Sequence, residues 1–139
     1  MRPKTVVAGI FLSLCIGGLV FASGKIKKFD LTPGYNKVIL KWEVENEQGV
    51  KGYEIQRGMN DHNFNKVDFV KAQQTSQSIK KYEYIDKTVF KLSNSSRTFY
   101  YRLKIQNQDG TFSYSKVEHV TPTVSSARQT WGMIKAMFR

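Results

Sequence analysis

TFYYRLKIQNQDGTFSYSKV, residues 98–117, places a tight turn between two alternating runs. On the first run Tyr101, Leu103 and Ile105 share a face, because successive side chains of a strand point to opposite sides. On the second run Phe112, Tyr114 and Val117 are the large groups. Between them lies Gln108-Asp109-Gly110, and Asp-Gly readily takes the positive φ that a hairpin turn needs. The stretch predicts an antiparallel hairpin with one buried wall.

The same period of two recurs upstream. KVILKWEVE, residues 37–45, sets Val38, Leu40, Trp42 and Val44 against Lys41, Glu43 and Glu45. In GYEIQRG, residues 52–58, Tyr53 and Ile55 alternate with Glu54 and Gln56. Shorter runs follow the pattern more loosely: Ile26, Phe29 and Leu31; Phe64 with Val67 to Val70, the expected buried positions of FNKVDFV; and Tyr82, Tyr84 and Ile85. Turn chemistry separates them, first at Pro33-Gly34, then through NEQGVKG, MNDHN and KLSNSS, and Pro122 ends the last strand. Seven short strands with no helix between them predict an all-β, seven-stranded antiparallel immunoglobulin-like sandwich over residues 25–122. Its expected structural core is Trp42, Leu40, Tyr53, Ile55, Tyr101, Leu103 and Ile105.

The chain has 139 residues, room for one domain and short appendages. Arg2 and Lys4 precede an uncharged run from Val6 to Ala22, and small residues follow in Ala22-Ser23-Gly24. That is the layout of a signal peptide over residues 1–24, with cleavage before Lys25. The apolar run is short for a spanning helix, which needs about 20 residues. An uncleaved membrane anchor is the competing reading. Cys15, the single cysteine, lies inside this segment behind Leu14, too bulky for a lipidation site, so a processed chain has no thiol. The expected location is secreted, periplasmic or cell-surface.

Residues 123–139 change character. In SSARQTWGMIKAMFR, Ser126 and Gln129 stand in the relation of a capping box. At the helical period Trp131, Ile134, Met137 and Phe138 fall on one arc, with Arg128, Lys135 and Arg139 on a neighbouring one. A basic amphipathic helix of about four turns results, marginal alone in water and in need of a surface. Three surfaces are open to it: its own sandwich, a groove on another protein, or an anionic membrane.

The strand residues resemble the fibronectin type III family, in the form found in bacterial extracellular proteins. The resemblance rests on Trp42 in LKWEV, Tyr53 in GYEIQRG and the Tyr101–Asn107 run YRLKIQN, and covers about residues 25–122. It implies that the tryptophan and the tyrosines fill the space between two sheets. It also implies that Leu92 corresponds to the leucine ahead of the sixth strand, although it stands farther from Tyr101 than the family's spacing. The family's integrin tripeptide is absent, since Arg57-Gly58 is followed by Met59, so adhesion to animal cells does not carry over.

Reactive constellations are missing from the sequence. His62 and His119 are the only histidines and are far apart in sequence, which offers no zinc-ligand spacing. No G-x-S-x-G elbow and no glycine-rich phosphate loop occur. The acids Glu43, Glu45 and Glu54 alternate outward. The expectation is therefore a module with no catalytic residues, no metal and no cofactor. Its net charge is +11, and taking Arg2 and Lys4 away leaves +9. That excess suits an anionic partner, or serves solubility and blocks edge pairing. Expected partners are another envelope or extracellular protein, or an anionic membrane surface, through the C-terminal helix. Tyr35, Tyr100, Phe112 and Tyr114 invite a second reading, a carbohydrate-binding accessory module for polysaccharide. Export argues against nucleic acid as a partner.

Overall fold

A computed structural model of the chain describes residues 24–89, 97–122 and 133–138. The first of these stretches holds β1 (Lys25–Gly34), β2 (Lys37–Glu45), β3 (Val50–Gly58), β4 (Phe64–Lys71) and β5 (Ile79–Asp86). The second holds β6 (Phe99–Asn107), β7 (Phe112–Tyr114) and β8 (Glu118–Val120). All pairings are antiparallel, so the fold is all-β. One sheet runs β1-β2-β5; the other runs β4-β3-β6, with β7 and β8 both on the far side of β6.

The two sheets share one core, giving a sandwich-like architecture. Phe29, Val38, Leu40, Trp42, Val44 and Tyr82 come from the three-stranded sheet. Val50, Tyr53, Ile55, Phe99, Tyr101, Leu103, Ile105 and Val120 face them from the other. Each such side chain contributes about 1.5–3 kcal/mol by leaving water. The rings interlock across the gap: Trp42 stacks on Tyr82 with centroids 5.2 Å apart, and Tyr53 meets Trp42 edge-on at 5.7 Å and tilts against Tyr82 at 5.0 Å. The β2 residues pack here because their alternation leaves only one apolar face.

Three sequence expectations shift. The last strand is broken into β7 and β8, so the described residues hold eight strands where seven were expected. Residues 115–117 leave the ladder, and Ser115 patches the gap: its amide donates to the Leu103 carbonyl and its Oγ accepts from the Leu103 amide, both at 2.9 Å. The first turn is not at Pro33-Gly34. Those residues stay paired in β1, and the chain reverses at Tyr35-Asn36, where Asn36 takes φ 54°. Asparagine tolerates the left-handed region better than most residues, so it displaces the turn from the Pro-Gly pair. In β4, Phe64 and Val67 to Val70 are not fully buried, because β4 is an edge strand bulged opposite Ile55/Gln56. The later hairpin turn forms as expected, with Gly110 at φ 87°.

Register also fixes the poles. Lys25 pairs with Glu45, and Val50 with Asn107, at one end. Gly58 pairs with Tyr100, and Phe99 with Val120, at the other. The chain enters the sandwich at the first pole and leaves it at the second.

Candidate functional site

Two carboxylates that read as ordinary loop or strand-end residues are buried at opposite ends of β5. Near the first pole Glu47 Oε1 accepts the Tyr53 hydroxyl at 2.5 Å and also the Tyr82 hydroxyl. Its Oε2 faces the Lys80 ammonium at 2.8 Å, and Lys80 also donates to the Gln73 carbonyl at 2.6 Å. Burial first, then the adjacent Glu47 carboxylate, hold both tyrosine hydroxyls protonated well above their ordinary range.

Near the second pole Asp86 is fully buried. Its Oδ1 accepts from the amide and the hydroxyl of Thr88, at 2.8 and 2.7 Å. Its Oδ2 accepts the Tyr101 hydroxyl at 2.8 Å and pairs with the Arg57 guanidinium. Burial alone would raise its pKa; the Thr88 hydrogen bonds, Arg57 and the Tyr101 hydroxyl outweigh it and lower the value. Tyr101 is pushed up, by burial and by that carboxylate. Both clusters join the sheets: every carboxylate oxygen is turned to a hydroxyl, amide or cation of the protein. A carboxylate so committed is a clasp rather than an acid or base facing a substrate. Sequence reasoning missed both, although an acid within aromatic-rich alternation, as in YEYID, is the signal that points to Asp86.

Open to solvent, the outer face of the larger sheet carries a different arrangement. The Arg102 guanidinium on β6 lies 4.2 Å from the Phe64 ring centroid on β4 and 4.1 Å from that of Tyr114 on β7. Its Nε donates to Gln56 Oε1 at 2.7 Å. One step along β6, Lys104 Nζ sits 4.4 Å from the Phe112 ring, and Phe112 meets Tyr114 edge-on at 5.5 Å. Arg102 with Tyr114 and Lys104 with Phe112 are diagonal neighbours on adjacent strands, within reach for long side chains, while Arg102 reaches Phe64 across β3. Glu54 accepts from the Gln56 and Gln106 amides at 2.7 and 3.0 Å. Beside Lys104 a cavity of about 270 Å³ opens between Lys51, Gln108 and the β6–β7 turn.

The seven expected core residues all lie in the shared core. Of the tail residues, Ile134, Lys135, Met137 and Phe138 are exposed in a helical stretch, Met137 at 81 % and Phe138 at 87 %. Trp131, Arg128 and Arg139 lie outside the described residues, as do Leu92 and residues 1–23, the bulk of the expected signal peptide. Of the four rings expected on a sugar face, Phe112 and Tyr114 are brought together, Tyr100 lies 5.9 Å from His119, and Tyr35 stands apart in the first turn. His62 is exposed beside Asp61 in the β3–β4 turn. Among the described residues no three of histidine, cysteine, aspartate and glutamate come together as a metal site, and no helix is long and apolar enough to cross a membrane.

No protein-family model matches the chain, and no curated protein matches it by sequence. Among solved structures it is similar to a β-1,2-glucanase from Parabacteroides distasonis, with 13 % identity and a TM-score of 0.51. The match covers 82 % of this chain and 16 % of that one, so the chain spans a small part of that protein's length. At this identity the likeness speaks for the fold alone.

Proposed function

We propose that the protein is an exported, non-catalytic module of the fibronectin type III kind, an immunoglobulin-like sandwich that scaffolds recognition in the cell envelope. Two antiparallel sheets, β1-β2-β5 and β4-β3-β6, with Trp42, Tyr53 and Tyr101 filling the space between them, support the family reading, since the resemblance implies that role for these rings. Commitment of Glu47 and Asp86 to inter-sheet clasps supports the absence of catalysis.

The observation that carries the docking role is the run of exposed apolar side chains beyond the sandwich. Met133, Ile134, Met137 and Phe138 are all solvent-facing. Apolar groups clustered like this mark an interaction surface. The tail is the attachment element, its apolar residues seated in a groove of an envelope protein and Lys135 at the rim.

The test compares the full chain with one ending at Thr123. Equal melting temperatures, with site-specific cross-linking from position 137 to an envelope protein in the intact chain only, are the expected results. A fall of many degrees on truncation would place the tail on its own sandwich and end the docking reading. Cross-links to lipid alone would replace the protein partner with the membrane. The N-terminal mass of the native protein tests export: a chain still beginning at Met1 would favour the anchored form.

A further inference from the structure

We propose that the outer face of the larger sheet is a binding site for an acidic polysaccharide, with Arg102 as the carboxylate-binding group. The site is separate from the tail and independent of what the tail docks on.

The argument begins with what Arg102 lacks. Its Nε is anchored on Gln56 and its plane is held between Phe64 and Tyr114, but among the described residues its two terminal nitrogens have no acceptor. A guanidinium fixed on three sides has already lost its rotamer freedom. Its free edge is the planar fork that matches a carboxylate or sulfate bidentately. Fixing it in advance removes a cost that binding would otherwise carry. Stability alone does not account for this arrangement, since each exposed cation–π contact contributes only about 0.5–1 kcal/mol.

The surroundings extend the site along β6. Lys104 and Lys51 flank the neighbouring cavity, and neither has an acidic partner among the described residues. Glu54, which stands opposite Lys104 across the β3–β6 register, accepts from two amides. Phe112 and Tyr114, 55 % and 46 % exposed, offer apolar surface between the Arg102 edge and the lysines. Gln106, Gln108 and Thr111 add hydrogen-bonding groups in the same cavity. Cations at intervals, ring surface between them and amides around them fit a chain of uronic acid units, each presenting one carboxylate, an apolar ring face and hydroxyls. An acidic peptide fits less well: acidic motifs are recognised by clustered arginines, whereas here one arginine stands among ring surface and amides on an open sheet face. Charge complementarity then sets specificity and encounter rate.

Binding of the full chain to polygalacturonate is measured alongside neutral dextran, poly-L-glutamate and oligothymidylate. The expected result is salt-sensitive binding to polygalacturonate with none to dextran. Arg102→Lys, which keeps the charge and loses the fork, is expected to weaken binding by about tenfold, the equivalent of about 1.4 kcal/mol. Lys104→Ala, on the surface and away from the core, is expected to weaken it and flatten its salt dependence, with the melting temperature unchanged. No binding to polygalacturonate overturns the proposal. So does equal binding to poly-L-glutamate or oligothymidylate, which would mean generic charge attraction, and so does binding that Arg102→Lys and Lys104→Ala both leave intact.

Discussion

The Tyr101 hydroxyl reaches across the core to Asp86 Oδ2 at 2.8 Å, tying β6 of one sheet to the end of β5 in the other. Asp86 also neutralises Arg57 from β3, so one carboxylate holds three strands. Asp86→Ala is expected to destabilise the sandwich by about 3–5 kcal/mol, because it leaves the Arg57 charge without its buried partner. Urea unfolding measures this. A loss below about 1 kcal/mol, the worth of an exposed pair, would mean that the cluster does not clasp the sheets.

The Glu47 cluster yields a coupled prediction. Glu47→Gln keeps an acceptor for the Tyr53 and Tyr82 hydroxyls but strands the Lys80 ammonium, which is almost as buried. Lys80→Met on its own strands the carboxylate. The double variant removes both charges and is expected to be more stable than either single one, with a coupling of about 0.5–3 kcal/mol in a double-mutant cycle. Strict additivity would separate the two residues energetically.

The pH dependence is two-sided. Asp86 has a folded pKa below its unfolded value of about 3.9. Its contribution is present above that value and lost as the pH falls through the folded one. The tyrosines behave oppositely: burial and neighbouring carboxylates raise Tyr53, Tyr82 and Tyr101, and burial with Asp68 pushes Tyr84 up to about 12. Their contribution is complete below about pH 10 and is lost above it, with a limiting slope of about 1.4 kcal/mol per pH unit for each tyrosine. Melting temperatures between pH 2 and 12 are expected to fall below about pH 4 and again above about pH 10. A flat alkaline limb would contradict the burial of these hydroxyls.

Gly58 closes β3 where the Asn60 side chain accepts from the amides of His62 and Asn63. A Cβ at Gly58 would run into the Asn63 carbonyl oxygen and lie 2.7 Å from that of Asn60. Gly58→Ala is expected to cost about 1–3 kcal/mol through overpacking against backbone that cannot rotate away. Unchanged denaturation midpoints would show that the turn shifts freely.

The strands with clean alternation were legible because one face had to be buried: Leu40, Trp42, Tyr53, Ile55, Tyr101, Leu103 and Ile105 all lie in the core. What period two cannot show is lateral order in the sheet. Nothing in FNKVDFV says that it lies on an edge, so Phe64 and Val67 to Val70 were placed too deep. The Pro-Gly pair outranked Asn36 on propensity, yet pairing with β2 carried through Gly34. The break at residues 115–117 is local, and side-chain pattern gives no sign that Ser115 would substitute for a ladder residue. The clasps escaped for another reason. Glu47 and Asp86 look like ordinary acids until partners from distant strands converge on them. The outer-face rings were half legible: Phe112 and Tyr114 stood out as aromatics, while Phe64 and Arg102 meet them only through the register of four strands.

The opposed poles carry a mechanical corollary. A pull applied between Gly24 and Pro122 runs along β1 and β8, and it shears β1 lengthwise past β2 at one end and β8 past β6 at the other, rather than peeling either away bond by bond. The long β1–β2 ladder resists that tension together, while β8 is held to its sheet by three residue pairs. A domain strung this way between two fixed points would transmit force as a stiff link until the short β8 pairing gives way.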